Sequence, residues 1–139
     1  MWRMFKSREE PVASLEHPIL GGLLWDPVEK EWRGSYNGFV FSIPRYRQTT
    51  PDIELLDYAV DLLGRKPHLL DDLECEKQRW IGRYPDTADE VLLLQFEEFA
   101  LYKRGDACLA FVMLAPESSR NSWRIEFAGH ECMGLGFDS

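Results

Sequence analysis

Asn37-Gly38, set between "EWRGSY" and "FVFSI", constrains this chain more than any other pair of residues. Both residues tolerate positive φ, so they favour a two-residue type I′ turn whose twist suits antiparallel strands. Such a turn fixes a register. Tyr36 falls opposite Phe39, Gly34 opposite Phe41 and Trp32 opposite Ile43. Opposed residues share a face. Trp32, Tyr36, Phe39, Phe41 and Ile43 therefore point one way, and Arg33, Ser35, Val40 and Ser42 the other. Gly34 leaves room for the Phe41 ring. One side of this sheet is expected in a core and the other in water.

The preceding "GLLWDPVEKEW" adds a strand and makes a three-stranded meander. If "PVEK" is a four-residue loop, Trp25 lies opposite Trp32 on the buried side. A slip of one residue sends it to solvent, where it could meet a partner.

Helical signals follow. In "TTPDIELLDYAVDLLG", Thr50 is expected as N-cap, Pro51 as first helical residue and Gly64 as the stop. Ile53, Leu56, Val60 and Leu63 form an apolar stripe, widened by Leu55, Ala59 and Leu62. A second helix is expected from Pro67 to about Gly82, with Leu69, Leu73, Trp80 and Tyr84 at helical spacing. "TADEVLLLQ" then predicts a short helix opened by a capping box of Thr87 and Glu90.

The last third reads as strands. "FALYKRGDACLAFVML" turns near Gly105. Residues 108–114 are apolar on both sides, so a central strand covered on both faces is expected. "SWRIEFAG" alternates Trp123, Ile125 and Phe127 against Arg124 and Glu126, a half-buried strand. The Gly-rich tail suits a final short strand. The order β-β-β-α-α-α-β-β-β predicts an α+β fold, with an antiparallel sheet of about six strands packed on helices. Residues 1–16, broken by Pro11 before Pro18, read as a loosely ordered N-terminal arm, and residues 17–139 as a single domain.

Charge narrows the function. The chain of 139 residues carries net charge −8 and a pI of about 4.9. Such a balance repels phosphate backbones, so nucleic acid is not an expected partner. Residues 68–98 hold nine acids and three bases, a net −6. A solvated helix face accounts for such a run, and so does a surface for a basic protein partner. Asp71, Asp72, Glu74 and Glu76, with Trp25, are the candidate partner-binding residues. The three cysteines form no CxxC, which suits reduced thiols and a cytoplasmic protein. The N-terminus lacks the apolar run of a secretory signal, and no stretch approaches the length that spans a membrane.

Catalytic signals are weak. Arg104-Gly105-Asp106 sits where a turn wants Gly and Asp for backbone reasons. His130-Glu131-Cys132 lacks a second ligand pair at zinc spacing, so no metal is expected, and no cofactor either. A Cys-His-acid site could be drawn from Cys108 or Cys132 with His130 and Asp138, but Cys108 lies in an apolar run. No catalytic residue is assigned.

The layout "HPILGGLLWD…W.G..", "D…LLDYA..LL", "F..FALY..GD..LAFVML" and "W.IEF.G.E..GL..D" covers residues 17–138. It resembles a group of uncharacterised bacterial domains, many encoded beside polymorphic toxins and regarded as immunity-like proteins. The resemblance implies a cytoplasmic α+β protein that works by binding, and it carries over no functional residue. The expected function is a non-enzymatic protein-binding domain, an immunity-type inhibitor that neutralises a basic partner through an acidic surface. The alternative is a small enzyme with a site assembled from scattered polar residues near the C-terminal strand, around His130, Glu131 and Asp138.

Overall fold

The computed structural model describes residues 14–44, 50–118 and 121–138. The expectation of an arm falls, for residues 1–13, outside them. Among the described residues, eight strands form one sheet whose spatial order follows the chain. They are β1 (Ser14–His17), β2 (Gly21–Asp26), β3 (Glu31–Tyr36) and β4 (Phe39–Pro44), then β5 (Gln95–Arg104), β6 (Ala107–Ala115), β7 (Ser122–Ala128) and β8 (Glu131–Asp138). Between β4 and β5 come α1 (Ile53–Leu63), α2 (Lys66–Arg83), a 3-10 turn (Pro85–Thr87) and α3 (Ala88–Val91).

The α+β class and the three helices are as expected. The strand count is not: eight replace about six, with four on each side of the helices. β1 is short and begins at Ser14, inside the stretch read as arm. β8 is eight residues long rather than a stub. All neighbouring strands are antiparallel except β4 and β5, which are parallel. The helices between them supply the crossover that a parallel pair requires.

The hairpin register is the expected one. Tyr36 pairs with Phe39, Gly34 with Phe41 and Trp32 with Ile43. Asn37 and Gly38 have φ of 57° and 86°. The four-residue loop also forms, so Trp25 lies opposite Trp32, with ring centroids 5.4 Å apart. Trp25 is half-buried and packs on the core. The register continues across the sheet as a row: Gly34, Phe41, Phe99, Val112, Ile125, Leu135. Every large side chain of that row joins the core, where Leu55, Leu56, Tyr58, Ala59, Leu62 and Leu63 of α1 meet it. Each such burial contributes about 1.5–3 kcal/mol.

The next row behaves differently. Arg33, Ser42, Ala100, Phe111, Glu126 and Gly134 face away from that core. Hence β6 is not sealed on both faces: Ala110, Val112 and Leu114 are buried, but Met113 is 40% exposed and Leu109 and Phe111 half-buried. The Arg124 guanidinium lies 5.8 Å from the Phe111 ring centroid and covers part of it. Arg33 bridges Glu31 and Glu98, and its hydrogen bond to Glu98 is the main reason its pKa is raised.

Three local expectations are corrected. The N-cap of α1 is Asp52, not Thr50; its carboxylate accepts the Leu55 amide at 3.2 Å, and Pro51 is buried ahead of the helix. The stripe starts at Leu55, leaving Ile53 in solvent. Gly64 does end α1, as expected, in a right-handed conformation, φ −71°, with α2 beginning two residues on. A Cβ there would sit 2.7 Å from the Val60 carbonyl oxygen. The capping box does not form. The Thr87 hydroxyl donates to the Tyr84 carbonyl, while Glu90 serves the side chains of Trp123 and Asn121. Among the described residues, no helix is long and apolar enough to cross a membrane.

Candidate functional site

The four acidic candidates all lie on α2, which turns 100° per residue. Leu69 and Leu73 face inward. Asp71 and Glu74, three residues apart, are neighbours on the solvent side. Asp72 and Glu76 form a second pair, turned toward β8. Glu76 is only 8% exposed and binds Arg79 at 2.6 Å. The nearby Cys132 thiol is pushed up to about 11, chiefly by burial, with the charges of Glu76 and Asp72 acting in the same direction. The acidic run is thus two faces, of which one, Asp71 with Glu74, is on the exposed side of the helix. Trp25, the fifth candidate, leans on Trp32 instead of standing free.

Beside Asp71 and Glu74 lies a feature that the sequence reading passed over. A groove of about 460 Å³ runs between α2, the segment after α3 and the tip of the β3–β4 hairpin. Its apolar lining includes Leu70, Leu73, Leu92, Leu93, Leu94 and Phe96. The local cause is the run Val91-Leu92-Leu93-Leu94. Val91 and Leu94 are buried, and the chain turns between them, so Leu92 and Leu93 project outward, 52% and 64% exposed. Leu70 of α2 is 45% exposed across from them. Lys77 fixes this geometry from beneath. Its buried ammonium donates to the Leu92 carbonyl at 3.3 Å and pairs with Glu74 at 3.1 Å. Four consecutive apolar residues at a four-residue helix were the available signal, since one turn cannot bury all of them.

The catalytic sketch is rearranged. His130 sits in the β7–β8 turn, and its Nε2 lies 2.6 Å from an Asp61 carboxylate oxygen of α1. Asp138 instead accepts from Arg124 at 2.9 Å. Next to His130, the Tyr58 hydroxyl donates to the Gly129 carbonyl at 2.7 Å, and the Gly129 amide to the Cys108 carbonyl at 2.9 Å. Burial raises the Tyr58 phenol above its ordinary range and pushes the Cys108 thiol up. A nucleophilic cysteine needs the opposite shift. Among the described residues, no three His, Cys, Asp or Glu side chains gather as metal ligands would.

The fold therefore defines an α+β domain with one helix-covered sheet face and an apolar groove beside an acidic helix. Protein-family models, curated proteins and solved structures yield no match to this chain.

Proposed function

We propose that this chain is a non-enzymatic protein-binding domain, an immunity-type inhibitor that neutralises a basic partner in the cytoplasm. The supporting observation is the placement of the acids in residues 68–98. Asp71, Glu74, Asp86, Asp89 and Glu97 are exposed, against Arg79 and Arg83 among the bases. A field of one sign raises the rate of encounter with a cationic partner, and apolar anchors then slow its release. The inhibitor acts by occlusion, with no chemistry of its own. The test is capture of the product of the adjacent gene by the purified chain, together with rescue of cells that express that product. Neither capture nor rescue ends this reading.

One contact favours a second reading, a small enzyme centred on His130. Asp61 orients the imidazole as a carboxylate orients a general base. Screening ester, amide and phosphoester substrates tests it. Turnover that survives His130→Ala unchanged would rule out the imidazole as base.

A further inference from the structure

We infer that the β1–β2 turn is an acid-sensitive latch: the neutral imidazole of His17 holds it, and protonation at Nδ1 releases the edge strand β1. His17 ends β1, and Pro18 follows it with no N–H to satisfy. The next two amides, of Ile19 and Leu20, both donate to His17 Nδ1, each at 3.1 Å. A backbone N–H only donates, so Nδ1 carries its lone pair and the ring proton sits on Nε2. A proton from solvent takes that lone pair. Two donors then face a third N–H, and the turn loses both bonds at once. Leu20 depends on this turn. It is 4% exposed and part of the core, while Ile19 beside it stands in solvent. β1 is the shortest strand of the sheet, four residues at its edge with β2 as its one neighbouring strand among the described residues.

The next turn shows what is particular to His17. Asp26 ends β2 and accepts the amides two and three residues on, Val28 at 2.9 Å and Glu29 at 3.1 Å, in the same pattern. A carboxyl group that gains a proton keeps acceptor capacity, whereas Nδ1 keeps none. An imidazole also changes charge ordinarily between about pH 5 and 8. The contribution of the latch is therefore present while the ring is neutral and is lost as pH falls. The charges around it do not take over the two amides. Glu16, on the same strand, lies on the other face, with its carboxylate 3.2 Å from where a Cβ on Gly22 would sit. Tyr36, at the near end of β3, packs against the core. Lys66 of α2 reaches this end of the sheet but is bonded to the Asn37 carbonyl at 3.3 Å, with the Phe39 ring centroid 5.4 Å away. Among the described residues, no ion pair includes His17. His130 makes the contrast: its Nε2 faces the Asp61 carboxylate, which accepts from the ring in either charge state, so acid leaves that contact in place.

The experiment is NMR on the isotope-labelled full chain at about pH 8 and about pH 5, either side of the range in which an imidazole ordinarily titrates. Long-range ring correlations should show His17 as the Nε2–H tautomer at the upper pH. Hydrogen-exchange protection of the Ile19 and Leu20 amides, corrected for the intrinsic pH dependence of exchange, should fall by about tenfold or more at the lower pH. Protection in the β1–β2 ladder should fall with it. The Val28 and Glu29 amides, held by Asp26, should keep theirs. His17→Asn supplies a side-chain carbonyl that can accept the same two amides and does not titrate in this range. That variant should hold its protection at both pH values. An Nδ1–H tautomer at the upper pH overturns the inference, as does a ring that stays neutral at the lower pH. So does unchanged protection once the ring is charged. An equal acid loss in His17→Asn overturns it too, by tracing the effect to another group. Circular dichroism checks that the variant is folded; if it is not, the wild-type tautomer and amide protection decide alone.

Discussion

The carboxylate of Glu90, on α3, accepts the indole N–H of Trp123, on β7, and so ties the helical crossover to the far half of the sheet. The Asn121 amide adds a bond at 3.3 Å. The bond from Trp123 is the main cause that holds the Glu90 carboxyl below its ordinary value, with burial opposing it. A depressed folded-state pKa means a contribution present above the unfolded pKa and lost as pH falls through the folded value. Glu90→Gln should lower stability at pH 7 by about 1 kcal/mol, less than is usual for a charged hydrogen bond because solvent reaches the carboxylate. Urea midpoints measured at pH 7 and again well below the ordinary carboxylate value of 4.5 should converge between wild type and variant. A gap that does not change with pH would remove the ionic part of this account.

Gly34 is required by the row it belongs to. A Cβ there would lie 2.7 Å from Leu23 Cδ2 and 2.8 Å from Phe41 Cζ. Both are ends of side chains that are themselves buried, so neither can swing away. Gly34→Ala is expected to destabilise by about 1–3 kcal/mol, the usual range for overpacking. Thermal unfolding reads the effect. An unchanged or raised Tm would mean that the hairpin yields more easily than its packing suggests.

The thiols should separate by reactivity. Cys75 is exposed on α2, whereas Cys132 is half-buried with its thiol pushed up to about 11. At pH 8 a thiol of that pKa is roughly one part in a thousand thiolate. Iodoacetamide followed by peptide mass analysis should therefore label Cys75 first, with Cys108 and Cys132 far behind. Labelling of Cys132 as fast as Cys75 would contradict the burial on which the shift rests.

What could be read in advance was local. The Asn37-Gly38 turn fixes its register through two φ angles, and from it the faces of Trp32, Phe41 and even Trp25 follow by counting. The readings that failed depend on distant partners. Glu90 has the spacing of a capping box, but its carboxylate goes to an indole 33 residues away. Residues 108–114 look doubly covered because both faces are apolar, yet the partial cover over Phe111 is a guanidinium. The acidic run on α2 reads as one patch, whereas helical geometry splits it and packing against β8 buries Glu76. The groove escaped notice because Leu92 and Leu93 resemble core residues until the turn between Val91 and Leu94 is known.

Two indoles that touch make the last test. Trp80 of α2 packs edge-on against Trp123, with ring centroids 5.3 Å apart, and both meet Phe137. Their N–H groups have different fates. That of Trp123 is held by Glu90, while that of Trp80 is buried with no acceptor among the described residues. An unpaired buried donor costs stability that its removal returns. Trp80→Phe loses ring area but also that donor, so the two effects offset and the net change should stay within about 1 kcal/mol, against about 3–5 kcal/mol for Trp80→Ala. Trp123→Phe loses ring area and a charged hydrogen bond together. Because the two sites differ in burial, a double-mutant cycle with Glu90→Ala separates the hydrogen bond from the packing. Trp123→Phe and Glu90→Ala should couple by about 1–2 kcal/mol, and Trp80→Phe and Glu90→Ala should add within about 0.5 kcal/mol. Coupling of equal size in both cycles would show that Glu90 supports the aromatic cluster through packing, not through the indole of Trp123.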